Sequence, residues 1–268
     1  METQSLIPES GSKVKLADYN ADFVGGYDKE SAKVERAPLE ERLDVLQEIL
    51  YAQGAKALLI VLQGMDTAGK DGTIKKVFEV VNPQGISVTS FKAPTENELA
   101  RDFLWRVHAL VPPKGQIGIF NRSHYEDVLV VRVEKLAPRE VWQARYEHIN
   151  NFEKLLADTG THVLKFFLHI SRDEQRRRLE ARLQNSNKTW KFNKDDLKAR
   201  EKWDDYHDAY EDVFRLTNTP NAPWHIVPAN NKWYRNLVIT RAIVEAMESM
   251  DLAFPKPEKN LDDVEIPE

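Results

Sequence analysis

The chain is most constrained by one junction: the apolar run Leu58 to Leu62 passes within two residues into Gly64-Met65-Asp66-Thr67-Ala68-Gly69-Lys70. The length and branching of the run suit a strand buried on both faces. The spacing Gly-x-x-x-x-Gly-Lys directly after it predicts a tight phosphate-wrapping loop that opens a helix near Lys70. In such a loop backbone N–H groups surround the anion, glycines let the backbone come close, and the helix points its positive end at the same charge. Lys70 adds a mobile full charge. The phosphate-binding stretch is therefore read as Gly64, Met65, Thr67, Ala68, Gly69, Lys70, Asp71, Gly72 and Thr73. An ordinary Gly-rich turn is the competing reading, and the crowding of Gly64, Gly69, Lys70 and Gly72 into one turn stands against it. Two residues depart from the pattern. Asp71 occupies the position where Ser or Thr normally offers a hydroxyl to Mg²⁺, and Asp66 places a carboxylate where polyanions should sit. A metal ion between carboxylate and phosphate makes that tolerable.

Downstream, periods of two and 3.6 alternate. Strands are expected from about Lys56, at Ile86 to Phe91, Gln116 to Phe120, Val163 to Ile170 and Trp224 to Val227. Helices are expected from Pro38 to Gly54, from Lys70 to about Val81, after the Thr95/Glu98 capping box, from Pro138 to about Asp158, after Ser171, and through Trp233, Leu237, Val244 and Met247. This alternation predicts an α/β fold, a five-stranded parallel sheet with helices on both faces and right-handed crossovers. Residues 1–36 read as an extended arm, 37–250 as the domain with a lid at about 171–205, and 251–268 as an acidic tail.

Composition narrows the function. The 268 residues carry 38 Lys/Arg against 43 Asp/Glu, a net charge of −5, which argues against a general nucleic-acid binder. Residues 165–202 nevertheless hold twelve Lys/Arg and six Asp/Glu, which predicts a local anion site. No apolar run approaches the length of a membrane span, the first residues lack the order of a secretory signal, and there is no cysteine. The cytoplasm is the expected compartment.

Two further clusters bear chemistry. The third strand delivers Asn121, Arg122, Glu126 and Asp127, with Arg132 close behind, to its carboxyl end, where open α/β sheets bind ligands. Many P-loop enzymes place a metal-binding Asp where Asn121 stands, so Glu126 or Asp127 is expected to take over the metal. The helix after Ser171 carries Arg172, Arg176, Arg177, Arg178 and Arg182. A solvated charged helix is the plainer reading, but its place after the fourth strand is that of a lid closing arginines over a transferred phosphate. Lys75, Lys76 and Lys92 add charge near the loop. His124 is conceivable as a phosphate-accepting nucleophile and is more often an orienting residue.

The motifs Gly64-Met65-Asp66-Thr67-Ala68-Gly69-Lys70-Asp71-Gly72, Phe91-Lys92-Ala93-Pro94-Thr95 and Phe120-Asn121-Arg122-Ser123-His124-Tyr125-Glu126-Asp127, together with the arginine-rich lid, resemble the second family of polyphosphate kinases. The resemblance spans about Pro38 to Met250. It implies a thymidylate-kinase-like fold and reversible transfer of a terminal phosphoryl group between inorganic polyphosphate and a nucleotide. The Asn121/Glu126/Asp127 variant is similar to the subgroup that phosphorylates both AMP and ADP, with guanine nucleotides as further candidates. Mg²⁺, or Mn²⁺ in its place, is the implied cofactor, and a dimer or tetramer the implied assembly. By the motif match, Asp66 holds metal and orients the acceptor, Lys70 and Arg122 bind phosphates in flight, and Arg178 acts from the lid with Arg182 assisting. Asp127 joins the catalytic set and Glu126 the metal set, and Lys75, Lys92, Pro94, Asn121 and Arg132 line the substrates. An ATP-dependent nucleoside monophosphate kinase and a nucleotide-binding P-loop switch are the rival readings.

Overall fold

A computed structural model describes residues 7–187, 189–192 and 195–257. The first six residues of the arm, the tail from 258 onward and positions 188, 193 and 194 of the lid lie outside the described residues. The strands are β1 (Ala57–Gln63), β2 (Ile86–Ser90), β3 (Ile117–Asn121), β4 (Thr161–His169) and β5 (Trp224–Pro228). They form one parallel sheet in the order β2-β3-β1-β4-β5. The helices are α1 (Lys29–Gln53), α2 (Lys70–Val77), α3 (Glu96–Leu99), α4 (Trp105–His108), α5 (Val130–Val133), α6 (Arg139–Asp158), α7 (Arg172–Gln184), α8 (Asp195–Glu201), α9 (Trp203–Thr217) and α10 (Lys232–Glu248).

β1 is the central strand, and every one of its residues is buried. It pairs with β3 on one side and β4 on the other, which explains its unbroken apolar character. The order of β1 and β3 puts the carboxyl ends of two neighbouring strands, Gln63 and Asn121, side by side. Each chain leaving the sheet there becomes one wall of a shared cavity.

The predicted elements are present, with three differences of extent. α1 begins nine residues before Pro38, because Asp28 caps it: Ser31 N–H donates to Asp28 Oδ1 (2.8 Å) and Asp28 N–H to Ser31 Oγ (2.9 Å). The helix starts at this Asp-x-x-Ser box, and Pro38 lies within it. α2 ends at Val77 rather than near Val81. The single helix expected after the Thr95/Glu98 box is two short helices, α3 and α4.

The segment before α1 packs on its own domain. Leu16 is fully buried, its N–H donates to Glu211 Oε1 (2.9 Å), and Asn218 Nδ2 donates to the carbonyl of Pro8 (2.5 Å). α1 lies along α10, tied by Arg42–Glu248 (2.9 Å) and by an Arg241–Glu35 pair.

Candidate active site

The loop after β1 is shaped by its carbonyls. Lys70 Nζ donates to Gly64 O (2.8 Å) and Ala68 N–H to Met65 O (3.0 Å). Gln175 Nε2 donates to Asp66 O (3.2 Å), and Arg178 Nη1 to Thr67 O (3.0 Å) and Ala68 O (2.9 Å). Gly69 O accepts from Thr73 N–H (2.9 Å) and Thr73 Oγ1 (3.1 Å). Each carbonyl from Gly64 to Gly69 thus has a donor, which leaves the loop to present its N–H side to an anion. The backbone is shaped to match. Gly64 has φ 150° and lies so close to β4 that a Cβ there would stand 2.9 Å from Leu168 O. Thr67 adopts φ 68°, a conformation that costs a non-glycine residue on the order of 1–3 kcal/mol and that clusters at ligand sites. Its buried hydroxyl finds no hydrogen-bond partner among the described residues.

The cavity beside this loop has a volume of about 740 Å³. Its walls include Asp66, Thr67, Gly69, Lys70, Asp71 and Gly72 from the loop and α2, Phe91 and Lys92 from the end of β2, Asn121 and Arg122 from β3, Arg178, Arg182 and Trp190 from the lid, and Lys232 and Arg235 from α10. Arg122, itself at φ 61°, donates from Nη2 to Asp66 Oδ1 (2.8 Å) and has Nη1 3.7 Å from Glu126 Oε2. Burial brings the Lys70 ammonium down to about 8, with the neighbouring Arg122 charge adding to the effect and Asp66 opposing it.

Asp71, which departs from the loop pattern, meets Asn121, which stands where many P-loop enzymes place an Asp. Asn121 Nδ2 donates to Asp71 Oδ1 (2.9 Å). The site therefore keeps one carboxylate between β3 and α2, but carries it on the helix rather than on the strand.

Several expected residues point elsewhere. The Asp127 carboxylate is held by Arg145, whose Nη1 donates to Asp127 Oδ1 (2.9 Å) and Asp127 O (3.0 Å), and burial raises its pKa to about 6. Glu126 and Asp127 are not on the wall of the P-loop cavity, and among the described residues no three carboxylate or histidine groups gather as a metal cage. Of the expected set, Asp66 and Glu126 meet at the Arg122 guanidinium, while Asp127 turns to Arg145. Asp66 and Asp71 bring carboxylate groups to the cavity wall. These hard ligands suit a small divalent cation whose shell is completed by water and phosphate oxygens. Arg132 pairs with Asp212 of α9 (2.8 Å) and stacks over Trp142 at 5.1 Å, while Lys75 and Pro94 are exposed and outside the cavity wall.

His124 is not available as a nucleophile. It is 1 % exposed, and its Nε2 lies 3.2 Å from Glu153 Oε1. Glu153 Oε1 also accepts from Tyr125 Oη (2.8 Å), and Lys165 Nζ donates to Glu153 Oε2 (2.6 Å), Tyr125 Oη (2.8 Å) and Thr217 O (2.8 Å). Burial works against the Glu153 charge, and Lys165 and His124 more than offset it, holding the carboxyl below its usual range. This buried cluster anchors residues 123–125 and so aims Arg122.

Arg178 also differs from a free lid arginine. Besides the loop carbonyls it donates to Glu174 Oε1 (2.5 Å), Ala229 O (2.7 Å) and Asn230 O (3.0 Å). It lines the cavity as a fixed brace. Arg235 and Lys232 were not anticipated. Arg235 lies in a run, 234–240, that the fold buries at every position, which the sequence alone does not show.

A parallel sheet with a glycine loop and a cationic cavity at its carboxyl edge defines a P-loop kinase. The family described as Polyphosphate kinase 2 (PPK2) matches residues 26–255, and the chain belongs to that family. It is 56 % identical over 241 residues to the AMP/ADP-polyphosphate phosphotransferase of Meiothermus ruber, covering 90 % of each chain. It is 45 % identical over 228 residues to the ADP-polyphosphate phosphotransferase of Rhodopseudomonas palustris, covering 81 % of this chain and 79 % of that one. The crystal structure of Polyphosphate Kinase 2 from Arthrobacter aurescens TC1 superposes with a TM-score of 0.91 at 41 % identity, covering 96 % of both chains.

Proposed function

We propose that the protein transfers the terminal phosphoryl group of inorganic polyphosphate to AMP and to ADP, and runs the reverse reaction when product accumulates. The convergence of Lys70, Arg122, Arg178, Arg182, Lys232 and Arg235 on one cavity carries this reading. Donor and acceptor are both polyanions, and bringing them end to end requires that much positive charge. A phosphate oxygen of the nucleotide attacks the terminal phosphorus of the donor. The bond from that phosphorus to its bridging oxygen breaks, and the electron pair stays with the shortened chain.

Lys70 exchanges its contact with Gly64 O for a phosphate oxygen of the donor. Arg122 spans the two substrates and is kept in orientation by Asp66 and Glu126. The lid brings Arg182 over the transferred group, while Arg178, on the cavity wall, keeps the loop in shape through its carbonyls. Lys92 and Asn121 lie on the acceptor side. A divalent ion, assigned as Mg²⁺, would be held by Asp66 and Asp71 and supplies charge neutralisation across the phosphates. No covalent enzyme intermediate is needed, in keeping with the burial of His124. We place the reaction in the cytoplasm, carried out by a homo-oligomer.

The test omits ATP altogether. Purified protein, polyphosphate and either AMP or ADP are mixed in Mg²⁺ and then in EDTA, and nucleotide products are separated by chromatography. ADP and ATP should form from AMP, ATP from ADP, and neither in EDTA. Transfer that starts only when ATP is supplied as donor would replace this reading with that of a nucleoside monophosphate kinase.

A further inference from the structure

Arg235 occupies the first turn of α10 with 2 % of its surface exposed. A guanidinium keeps its proton in nearly any protein environment, so a full charge is buried here. Its Nε (3.1 Å) and Nη2 (2.8 Å) donate to the side-chain oxygen of the next residue, Asn236. Nη1 lies 3.4 Å from the carbonyls of both Ala68 and Gly69. Among the described residues, none of these partners is a carboxylate. The charge that acts on it is another cation, Arg178, and burial and that neighbour bring it down to about 10. Leaving a buried charge unmatched costs stability.

The loop is built around this group. Gly69 has φ +105°, and a Cβ at that position would stand 2.3 Å from Arg235 Nη1. A Cβ at Gly72 would stand 3.8 Å from Nη2. The second glycine of the motif is thus required by a guanidinium behind the loop as well as by φ. Arg178 from α7 reaches Thr67 O and Ala68 O, and Arg235 from α10 reaches Ala68 O and Gly69 O. Two helices that flank the sheet therefore grip adjacent peptide units from the same side.

We propose that Arg235 is a positioning residue for the phosphate donor: with Arg178 it forms a cationic clamp on the carbonyls of residues 67–69, fixes the loop's N–H groups toward the cavity, and sets a permanent positive charge beneath the incoming chain. The inference rests on the reading of the cavity as the polyphosphate site. An anion in the loop supplies the countercharge that the protein itself withholds, so the cost of burial in the free protein is recovered on binding.

The test uses the full chain, with Arg235→Met and Arg235→Lys, and inorganic tripolyphosphate as the probe. Tripolyphosphate binding is measured by calorimetry, KM is measured separately for polyphosphate and for AMP, and Tm is recorded for each protein. Arg235→Met should bind tripolyphosphate at least about 30-fold more weakly and raise the polyphosphate KM, since a buried charge-assisted contact is lost. The AMP KM should stay near the wild-type value. Its Tm should equal or exceed that of the wild type, because an unmatched buried charge has been removed. Arg235→Lys should recover part of the binding. Gly69→Ala should cost proportionally less in the Arg235→Met background than in the wild type, because the colliding group is gone.

Tripolyphosphate binding and KM values within about twofold of wild type in Arg235→Met would overturn the inference. So would a lowered Tm with equal losses for both substrates, the signature of a scaffold residue. Wild-type protein that fails to bind tripolyphosphate would instead remove the polyphosphate reading, and the inference with it.

Discussion

Lys165 and Arg235 are both long cations, 0 % and 2 % exposed, inside the same fold. Lys165 is matched: Glu153 supplies the opposite charge, and Tyr125 and Thr217 supply oxygens. Arg235 has only amide oxygens. A buried cation matched from within ties β4 to the loop that follows β3. A buried cation left unmatched beside a glycine loop is an asset only when charge arrives from outside. Burial alone does not separate the two roles; the identity of the acceptors does.

The sharpest way to break this contrast is to remove the match. Glu153→Leu leaves the Lys165 ammonium buried without a counterion, and stability should fall by about 3–5 kcal/mol in urea unfolding. A loss under about 1 kcal/mol would mean that the pair is not what holds residues 123–125 in place. Lys70→Ala addresses the other side: kcat should drop by about 10²–10³-fold with no loss of Tm, as expected for a charge aimed at developing negative charge.

Two pH profiles refine the picture. Lys70 loses its proton near 8 in the free protein, so kcat/KM for polyphosphate should fall as pH rises through about 8. Bound phosphate favours the protonated form, so kcat should fall later, at higher pH. A kcat/KM that stays flat to pH 10 would detach Lys70 from donor binding. Asp127 has its carboxyl raised from 3.8 to about 6 in the folded protein. The native state then holds more protons than the unfolded chain between those values, and stability falls with rising pH across that window. The stability difference between wild type and Asp127→Asn should therefore shrink or turn negative from pH 4 to 6 and stay level above it. The smallest effect is expected at Arg132, a partly exposed ion pair with Asp212 on α9. Arg132→Ala should cost at most about 1 kcal/mol and leave both KM values unchanged.

The part of this molecule that could be read in the sequence is the part written in local patterns. A glycine-lysine loop after a buried apolar run, helix caps at Thr95 and Ser171, and strands alternating with helices are all short-range signals, and the sheet follows from them. What could not be read depends on which long side chain reaches across the fold. Arg178 and Arg132 both look like substrate-facing cations in sequence, yet one braces the loop through its carbonyls and the other closes on α9. Asp71 and Asn121, fifty residues apart, look like separate departures until the sheet brings them within 2.9 Å. Arg235 is hidden in the sequence because nothing local sets it apart from the other charged residues of α10, Lys232, Arg241, Glu245 and Glu248. Pro38 misplaces the start of α1 because a proline usually marks a first turn, and here the Asp28 box had already begun the helix.

Thermal unfolding with and without added tripolyphosphate tests the central claim most directly, because a ligand stabilises only the state that binds it. The account predicts that wild-type Tm rises with tripolyphosphate, while Arg235→Met starts at or above the wild-type Tm and barely responds. Equal upward shifts in both proteins would contradict it.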